Sequence, residues 1–479
     1  MKVSSLVFAV AAMSSPALLA DTVVLQAYLK ASNTHAEDRF GQAVAASGDT
    51  VVVGAPEESG AAIGIDGDQT VRKAPNTVSS GAVYVFTRKG GKWSQQAYVK
   101  ASSPHADSFG RAVAISGDTL VVGSSWDRPG TKDGLEKGVA YVFVRNGAVW
   151  TQQARLRPAN PGIASDFANS VAISGDTIVV GGRHETVDQA GAAFVFTRTG
   201  TEWTQQAALA AVPPMSGDGF GASVTISADT VAVGAPREQI AREMKKGSPS
   251  ARPFTSTGAV YVFVRDGQAW LQQAHLTVEN YGKEKTFFGG SVAASGDILV
   301  VGDHADASGG TGPHASPKTP PRILTGSGTA YTPTGAAHLF TRTGKNWKQD
   351  AFIKAGVPEW ANFAHSVAAS DNRIVVGARN EGVGSGAPNA SGVNPTTRTE
   401  PSGAAYEYTR SGGNWNPIAH LKPPNAVPGL RFGDAVAVSG DTVIVGAEFE
   451  SGGATGINGN MKDQTARFSG AAYVFQIKP

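Results

Sequence analysis

A phenylalanine followed by a small residue opens a unit that this chain writes seven times: Phe40-Gly41, Phe109-Gly110, Phe167-Ala168, Phe220-Gly221, Phe288-Gly289, Phe363-Ala364 and Phe432-Gly433. The copies lie 53 to 75 residues apart. A repeat of this length outranks any local signal, because each copy is one supersecondary module that buries its apolar faces only against its neighbours. Inside a unit, four strand signals follow one another. The first is small and apolar, as in Ala112-Val113-Ala114-Ile115, and the second is Thr119-Leu120-Val121-Val122-Gly123. Between them lies Ser116-Gly117-Asp118, whose Gly-Asp pair suits a two-residue hairpin with a positive φ at its first corner. Unit six keeps turn chemistry without glycine as Ser370-Asp371-Asn372. The third strand follows Gly81, Gly138, Gly191, Gly258, Gly335, Gly403 or Gly470 and is mostly apolar on both faces, so both faces of the sheet are covered. The fourth carries Trp93, Trp150, Trp203, Trp270, Trp347 or Trp415. A period of two excludes a helical solenoid. Four short antiparallel strands, seven times over, describe an all-β, seven-bladed β-propeller, with a row of separate sandwiches as the competing architecture.

The chain ends show how such a ring closes. Unit seven stops at Tyr473-Val474-Phe475-Gln476 and lacks a fourth strand. Leu25 to Ser32 (LQAYLKAS) matches Gln95 to Ser102 (QQAYVKAS) closely, so it is a fourth strand with no first three before it. Placing it on the last blade removes an unpaired edge. The expected organisation is therefore a signal segment over 1–20 and one propeller over 21–479. Residues 21–32 supply the outer strand of blade 7, and blades start near 40, 109, 167, 220, 288, 363 and 432.

Residues 1–20 read as an export leader. Lys2 is the only charge, Leu6 to Ala12 is apolar, and Ser14-Ser15-Pro16 breaks the run before Ala17 and Ala20, with cleavage expected near Ala20–Asp21. No later run reaches the ~18 apolar residues of a membrane helix, so no membrane span is expected. The expected location is the periplasm, cell surface or extracellular space. Composition narrows the chemistry. With no cysteine, disulfides, thiolate metal sites and cysteine nucleophiles are excluded. A net charge of +2 gives no bulk field to recruit nucleic acid. The 59 glycines in 479 residues, above the usual ~7%, lack the every-third-residue period of collagen.

The Phe-Gly openings, with Val-Gly-Ala-Pro at Val53 to Pro56 and Val233 to Pro236, resemble the FG-GAP repeat that builds the integrin α-chain head. The closer likeness is to bacterial secreted FG-GAP proteins. This resemblance implies a seven-bladed propeller and adhesion or protein–protein recognition. It departs from the family at Phe167-Ala168 and Phe363-Ala364, and Gly-Ala-Pro survives only twice. Integrin-type units often carry a calcium loop between the first two strands; here that place is the tight turn. One carboxylate on such a turn cannot supply the six to eight oxygens that calcium takes. Calcium is therefore not assigned to Asp49, Asp118, Asp176, Asp229, Asp297 or Asp441.

Up-down blades put the first-to-second and third-to-fourth turns on one rim of the disc. The second-to-third loops and the crossovers fall on the other. From the glycine ending strand two to the glycine opening strand three the distance is 27, 15, 10, 24, 33, 26 and 24 residues, so one face is a crown of long loops, where binding belongs. Ligand candidates on the crown are Trp126 and Trp360, aromatic and outside the repeat pattern, and the basic lobe containing Arg237, Lys245 and Lys246. Metal candidates are Asp66 and Asp68, matched in unit seven by Asn458 and Asn460, with Gly-Asp and Gly-Asn turns as the plainer reading. Asp303-His304-Ala305-Asp306 has ligand-type residues, although a loop cluster of this kind more often binds nothing. The strand-four tryptophans are expected to pack at the outer edge. No Gly-x-Ser-x-Gly, His-Glu-x-x-His, P-loop or dinucleotide fingerprint occurs. The expected function is a non-enzymatic, monomeric binding module for a protein or glycan. The alternatives are a lectin-like propeller using crown aromatics, with calcium a possible cofactor even though the integrin-type calcium loops are absent, and a hydrolase or lyase with a composite site at the axial mouth.

Overall fold

The computed structural model describes residues 22–478, except 73–78, 104–105, 126–137, 161–165, 184–190, 213–216, 242–253, 279–285, 314, 316–321, 326–327, 332–333, 357–360 and 383–400. Seven four-stranded antiparallel sheets form the blades, and no helix occurs among the described residues. Blade 1 runs Ala43–Ser47, Thr50–Ala55, Ala82–Lys89 and Lys92–Val99, in that order from the axis outward. The expected closure is present. Thr22–Leu29 lies antiparallel to Ala471–Lys478 as the outer strand of blade 7, with Tyr28 opposite Tyr473 and Leu29 opposite Ala472. Two extra hairpins, Gln239–Ala241 with Phe254–Ser256 and Arg322–Thr325 with Gly328–Tyr331, rise from the crown loops of blades 4 and 5.

The repeat's signature residues are where the blades touch. Each unit phenylalanine from Phe40 to Phe432 is fully buried. Phe40 meets Tyr84 and Phe86 of its own third strand edge-on, an arrangement aromatic quadrupoles favour, and Phe109 meets Tyr141 and Phe143 in the same way. The glycine ending strand two presses on the next blade. A Cβ on Gly54, Gly123, Gly181, Gly234, Gly302, Gly377 or Gly446 would lie 1.9 to 2.3 Å from a carbonyl oxygen in the next blade's opening pair. Only a residue without a side chain allows backbones so close.

Two belts join the blades near the rim. In each hairpin turn the serine hydroxyl accepts the backbone N–H of the following blade's turn. Ser439 accepts from Gly48, Ser47 from Gly117, Ser116 from Gly175, Ser174 from Ala228, Ser227 from Gly296, Ser295 from Asp371 and Ser370 from Gly440, a circle without a gap. The second belt starts from a β-bulge in every outer strand, which re-aims one side chain. In five blades that side chain accepts the indole N–H of the next blade: Gln96 from Trp150, Gln153 from Trp203, Gln206 from Trp270, Gln273 from Trp347 and Asp350 from Trp415, whereas the Trp93 indole N–H, next to the closing strand, has no hydrogen-bond partner. Blade 7 has no tryptophan there, and both Ile418 of blade 6 and Val23 pack into the apolar cluster at that seam. Arginines from the third strands, such as Arg145, Arg198 and Arg265, stack on these indoles at 4.8 to 5.1 Å and bind the turn aspartates Asp118, Asp176 and Asp229. The tryptophans thus tie neighbouring blades, while these turn aspartates hold the arginines of their own blades in place.

Candidate functional site on the crown

Beneath the crown, five loops are tied to their blades by an acid that the sequence pattern alone left unread. The residue four after the strand-two glycine is acidic in every unit: Glu58, Asp127, Glu185, Glu238, Asp306, Glu381 and Glu450. Asp127 and Glu185 lie outside the described residues. The other five are buried. Lys100 bonds Glu58 at 2.5 Å, Lys30 bonds Glu450 at 2.7 Å, Lys354 bonds Asp306 at 2.6 Å and Lys422 bonds Glu381 at 3.1 Å. In blade 4 the lysine's position holds Thr277, and His275 two residues earlier bonds the acid instead, 2.8 Å from Glu238. Third-strand hydroxyls add bonds from Tyr261 to Glu238 and from Tyr406 to Glu381. The signal that would have exposed these pairs was a lysine ending the outer strand at Lys30, Lys100, Lys354 and Lys422, in step with the acid.

Asp66 and Asn458 occupy matching places in neighbouring blades, both with left-handed backbone at φ 52° and 55°. Each faces the outer strand of its own blade. Tyr98 N–H donates to Asp66 Oδ1 at 2.8 Å, and Tyr28 N–H donates to Asn458 Oδ1 at 2.9 Å. Asp68 Oδ1 accepts from the backbone and hydroxyl of Thr70, bonds that hold its carboxyl below the usual range, and Asn460 Oδ1 accepts from Lys462 N–H. Arg237 is exposed, and its backbone N–H bonds Asp218 O at 3.0 Å. Trp126, Trp360, Lys245 and Lys246 lie outside the described residues.

The structure gathers polar side chains at the axial mouth from blades 5, 6, 7 and 1. They come from the residue before the unit phenylalanine (Arg39, Arg431), two after it (His365, Asp434), and two after the strand-two glycine (His304, Arg379, Glu448). Arg379 bonds Asp434 and the His365 ring nitrogen, both at 3.0 Å, and Arg431 bonds Glu448 at 3.0 Å. Burial and Arg379 push the imidazoles down, His304 to about 4 and His365 to about 3, so both are neutral near pH 7. Burial raises Glu448, with Asp434 beside it adding to the effect.

Next to this network, at the seam of blades 7 and 1, lies a layered stack. Phe449 and Phe468 lie face to face with centroids 4.6 Å apart. Arg431 covers Phe449 at 4.2 Å, Arg39 approaches the same ring at 5.4 Å, and Arg467 covers Phe468 at 4.4 Å. Both rings are partly exposed, and the Arg467 side chain is 73% exposed.

The profile of the FG-GAP repeat matches residues 23–86, 93–143, 150–196, 203–263, 270–315 and 415–475, well over half of the chain. The chain belongs to the FG-GAP repeat family. The matched segments mostly run from the outer strand of one blade through the third strand of the next, and blade 6, with its Phe363-Ala364 and glycine-free turn, falls between them. No curated protein matches the chain. Among solved structures, the periplasmic gluconolactonase PpgL of Pseudomonas aeruginosa is similar at 13% identity and a TM-score of 0.42, over 80% of this chain and 84% of that one. A likeness of that degree bears on neither activity nor substrate.

Proposed function

We propose that this chain is an exported, non-enzymatic FG-GAP propeller that binds a protein partner through its crown, with the contact centred on the Arg–Phe stack between blades 7 and 1. The carrying observation is the layer Arg431–Phe449–Phe468–Arg467, with Arg39 at its side. Partly exposed aromatic and arginine side chains stacked together are the residue types that dominate protein–protein hot spots. Guanidinium groups take carboxylates in a paired, directional way, so the matching partner surface carries Asp or Glu beside an apolar side chain. The rim offers no such stack among the described residues, since its arginines are held by turn aspartates and tryptophans.

The test is interferometry with the immobilised mature chain against acidic peptides carrying an aromatic residue, matched neutral peptides, and acidic and neutral glycans. Acidic peptides are expected to bind. Arg467→Ala and Phe449→Ala should each weaken them at least tenfold, while the exposed rim variant Lys92→Ala leaves them unchanged. Binding to glycans alone would transfer the function to a lectin-like reading. Equal loss from crown and rim variants would refute the proposed surface.

A further inference from the structure

Blade 5 departs from the other six at two positions, and from the other described blades at a third, and the three meet in space. The residue after the strand-two glycine is Ala55, Ser124, Gly182, Ala235, Ala378 or Ala447 elsewhere, and Asp303 here. The third-strand position filled by Tyr84, Tyr141, Phe194, Tyr261, Tyr406 and Tyr473 elsewhere holds His338. The buried acid is the shorter Asp306, where the other described blades with such an acid have glutamate. A carboxylate oxygen from each aspartate and a ring nitrogen of His338 lie within 4.8 Å of one another, and all three residues are buried.

The bonding around these groups is incomplete. Asp303 Oδ1 accepts Phe287 N–H at 2.8 Å and Ala305 N–H at 3.2 Å, but Asp303 Oδ2 is buried without a hydrogen-bond partner. His338 Nε2 is likewise buried without one. Asp303 is fully buried and His338 is 4% exposed, so neither atom has recourse to bulk water. Orphaned buried polar atoms each cost roughly 1–3 kcal/mol, and two at one spot point to a missing occupant. Charge points the same way. Lys354 bonds Asp306 Oδ1 at 2.6 Å, which leaves one ammonium for two buried carboxylates. The outer sphere is built as well. Ser308 N–H and Oγ–H both donate to Asp306 Oδ1, and the Gln349 amide lies 3.3 Å from His338 Nδ1.

We propose that Asp303, Asp306 and His338 form a binding site for one divalent transition metal ion of the zinc class, which pins the base of the longest crown loop. Two carboxylates with one imidazole suit zinc or manganese and do not suit calcium, which takes oxygen ligands. The ion does in blade 5 what a tyrosine hydroxyl and a glutamate do in blades 4 and 6. It acts on the loop because Asp306 O accepts the N–H groups of Thr334 and Gly335, where the loop returns to the third strand. His304, adjacent in sequence, is no part of the site. It faces the axial mouth, 4.9 Å from Phe287 and 5.4 Å from His365 between ring centroids.

The experiment uses the full mature chain, stripped with chelator and titrated calorimetrically with Zn2+, Mn2+ and Ca2+ in turn, with metal content measured after gel filtration. One equivalent of Zn2+ or Mn2+ is expected to bind and to raise the thermal unfolding midpoint, with Ca2+ at least 100-fold weaker. Asp303→Ala and His338→Tyr each install a residue that other blades carry, so both are expected to fold. Each should weaken Zn2+ binding at least 100-fold and abolish the thermal shift, whereas His304→Ala leaves both intact. Circular dichroism of the stripped variants separates a lost site from a lost fold. If either variant does not fold, Asp303→Asn serves in its place. No stoichiometric binding, binding that survives the ligand variants, or loss with His304→Ala would each overturn the assignment.

Discussion

Lys30 lies on the strand that closes the ring, and its ammonium is fully satisfied: Glu450 Oε2 at 2.7 Å, Ser469 Oγ at 2.7 Å and Gly470 O at 2.6 Å. Both partners of the ion pair are 0% exposed. Lys30→Met keeps the apolar stem and removes the charge, leaving Glu450 ionised in a dry place. Removing one partner of a buried pair costs about 3–5 kcal/mol, whereas replacing both by neutral groups is often close to neutral. Glu450 retains donors in Gly452 N–H at 2.9 Å and Asn425 Nδ2 at 3.3 Å, so a loss of ~3 kcal/mol, at the lower end, is expected. Lys30→Met with Glu450→Gln should regain at least half of it. Lys422→Met is an internal control. Its partner Glu381 keeps His420 at 2.8 Å and the Tyr406 hydroxyl, so that loss should be smaller. The assay is guanidinium denaturation at pH 7 with the slope checked for constancy. A loss below ~1 kcal/mol, or an equal loss from Lys422→Met, would refute the view that this pair locks the closure.

Other outcomes follow from the same contacts. A chain beginning after Ser32 loses the buried Ala27, Tyr28 and Leu29, the two larger side chains being worth ~1.5–3 kcal/mol each, and leaves the edge of Ala471–Lys478 unpaired. It should aggregate, or melt well below the mature protein in calorimetry. Gly54→Ala would place a Cβ 2.0 Å from Gly110 O and should destabilise by ~3 kcal/mol or more, measured by denaturant midpoint. Ala228 holds a left-handed φ of 50° where most units have glycine, so Ala228→Gly should gain up to ~1 kcal/mol in the same assay. His365 is pushed down to about 3 in the fold, so the unfolded chain takes up its proton first as pH falls. Stability from that imidazole is present above the unfolded pKa near 6.5 and lost toward pH 3, by at most about 1.4 kcal/mol per pH unit. His365→Gln should therefore gain relative to the parent as pH drops from 6.5 to 4. Asp38 and Asp218, raised to about 7 and about 6 by burial, act with the opposite sign and cancel in that comparison.

The seven-bladed ring, its closure and the crowding of long loops on one face were legible in the sequence, because they rest on local signals. Strand alternation, the Gly-Asp turns and the repeat interval are each read within a few residues, and the copied segment Leu25 to Ser32 declares its own partner. The tryptophan belt was legible as packing, but its acceptors were not. A β-bulge decides which glutamine turns toward the next blade, and that is a matter of strand register. Asp303 and His338 are 35 residues apart, and Arg39 and Phe449 more than 400 apart. Antiparallel pairing brings the first pair together and ring closure the second. Neither meeting is a local sequence signal: pairing within the blade 5 sheet makes the first, and the geometry of the disc makes the second.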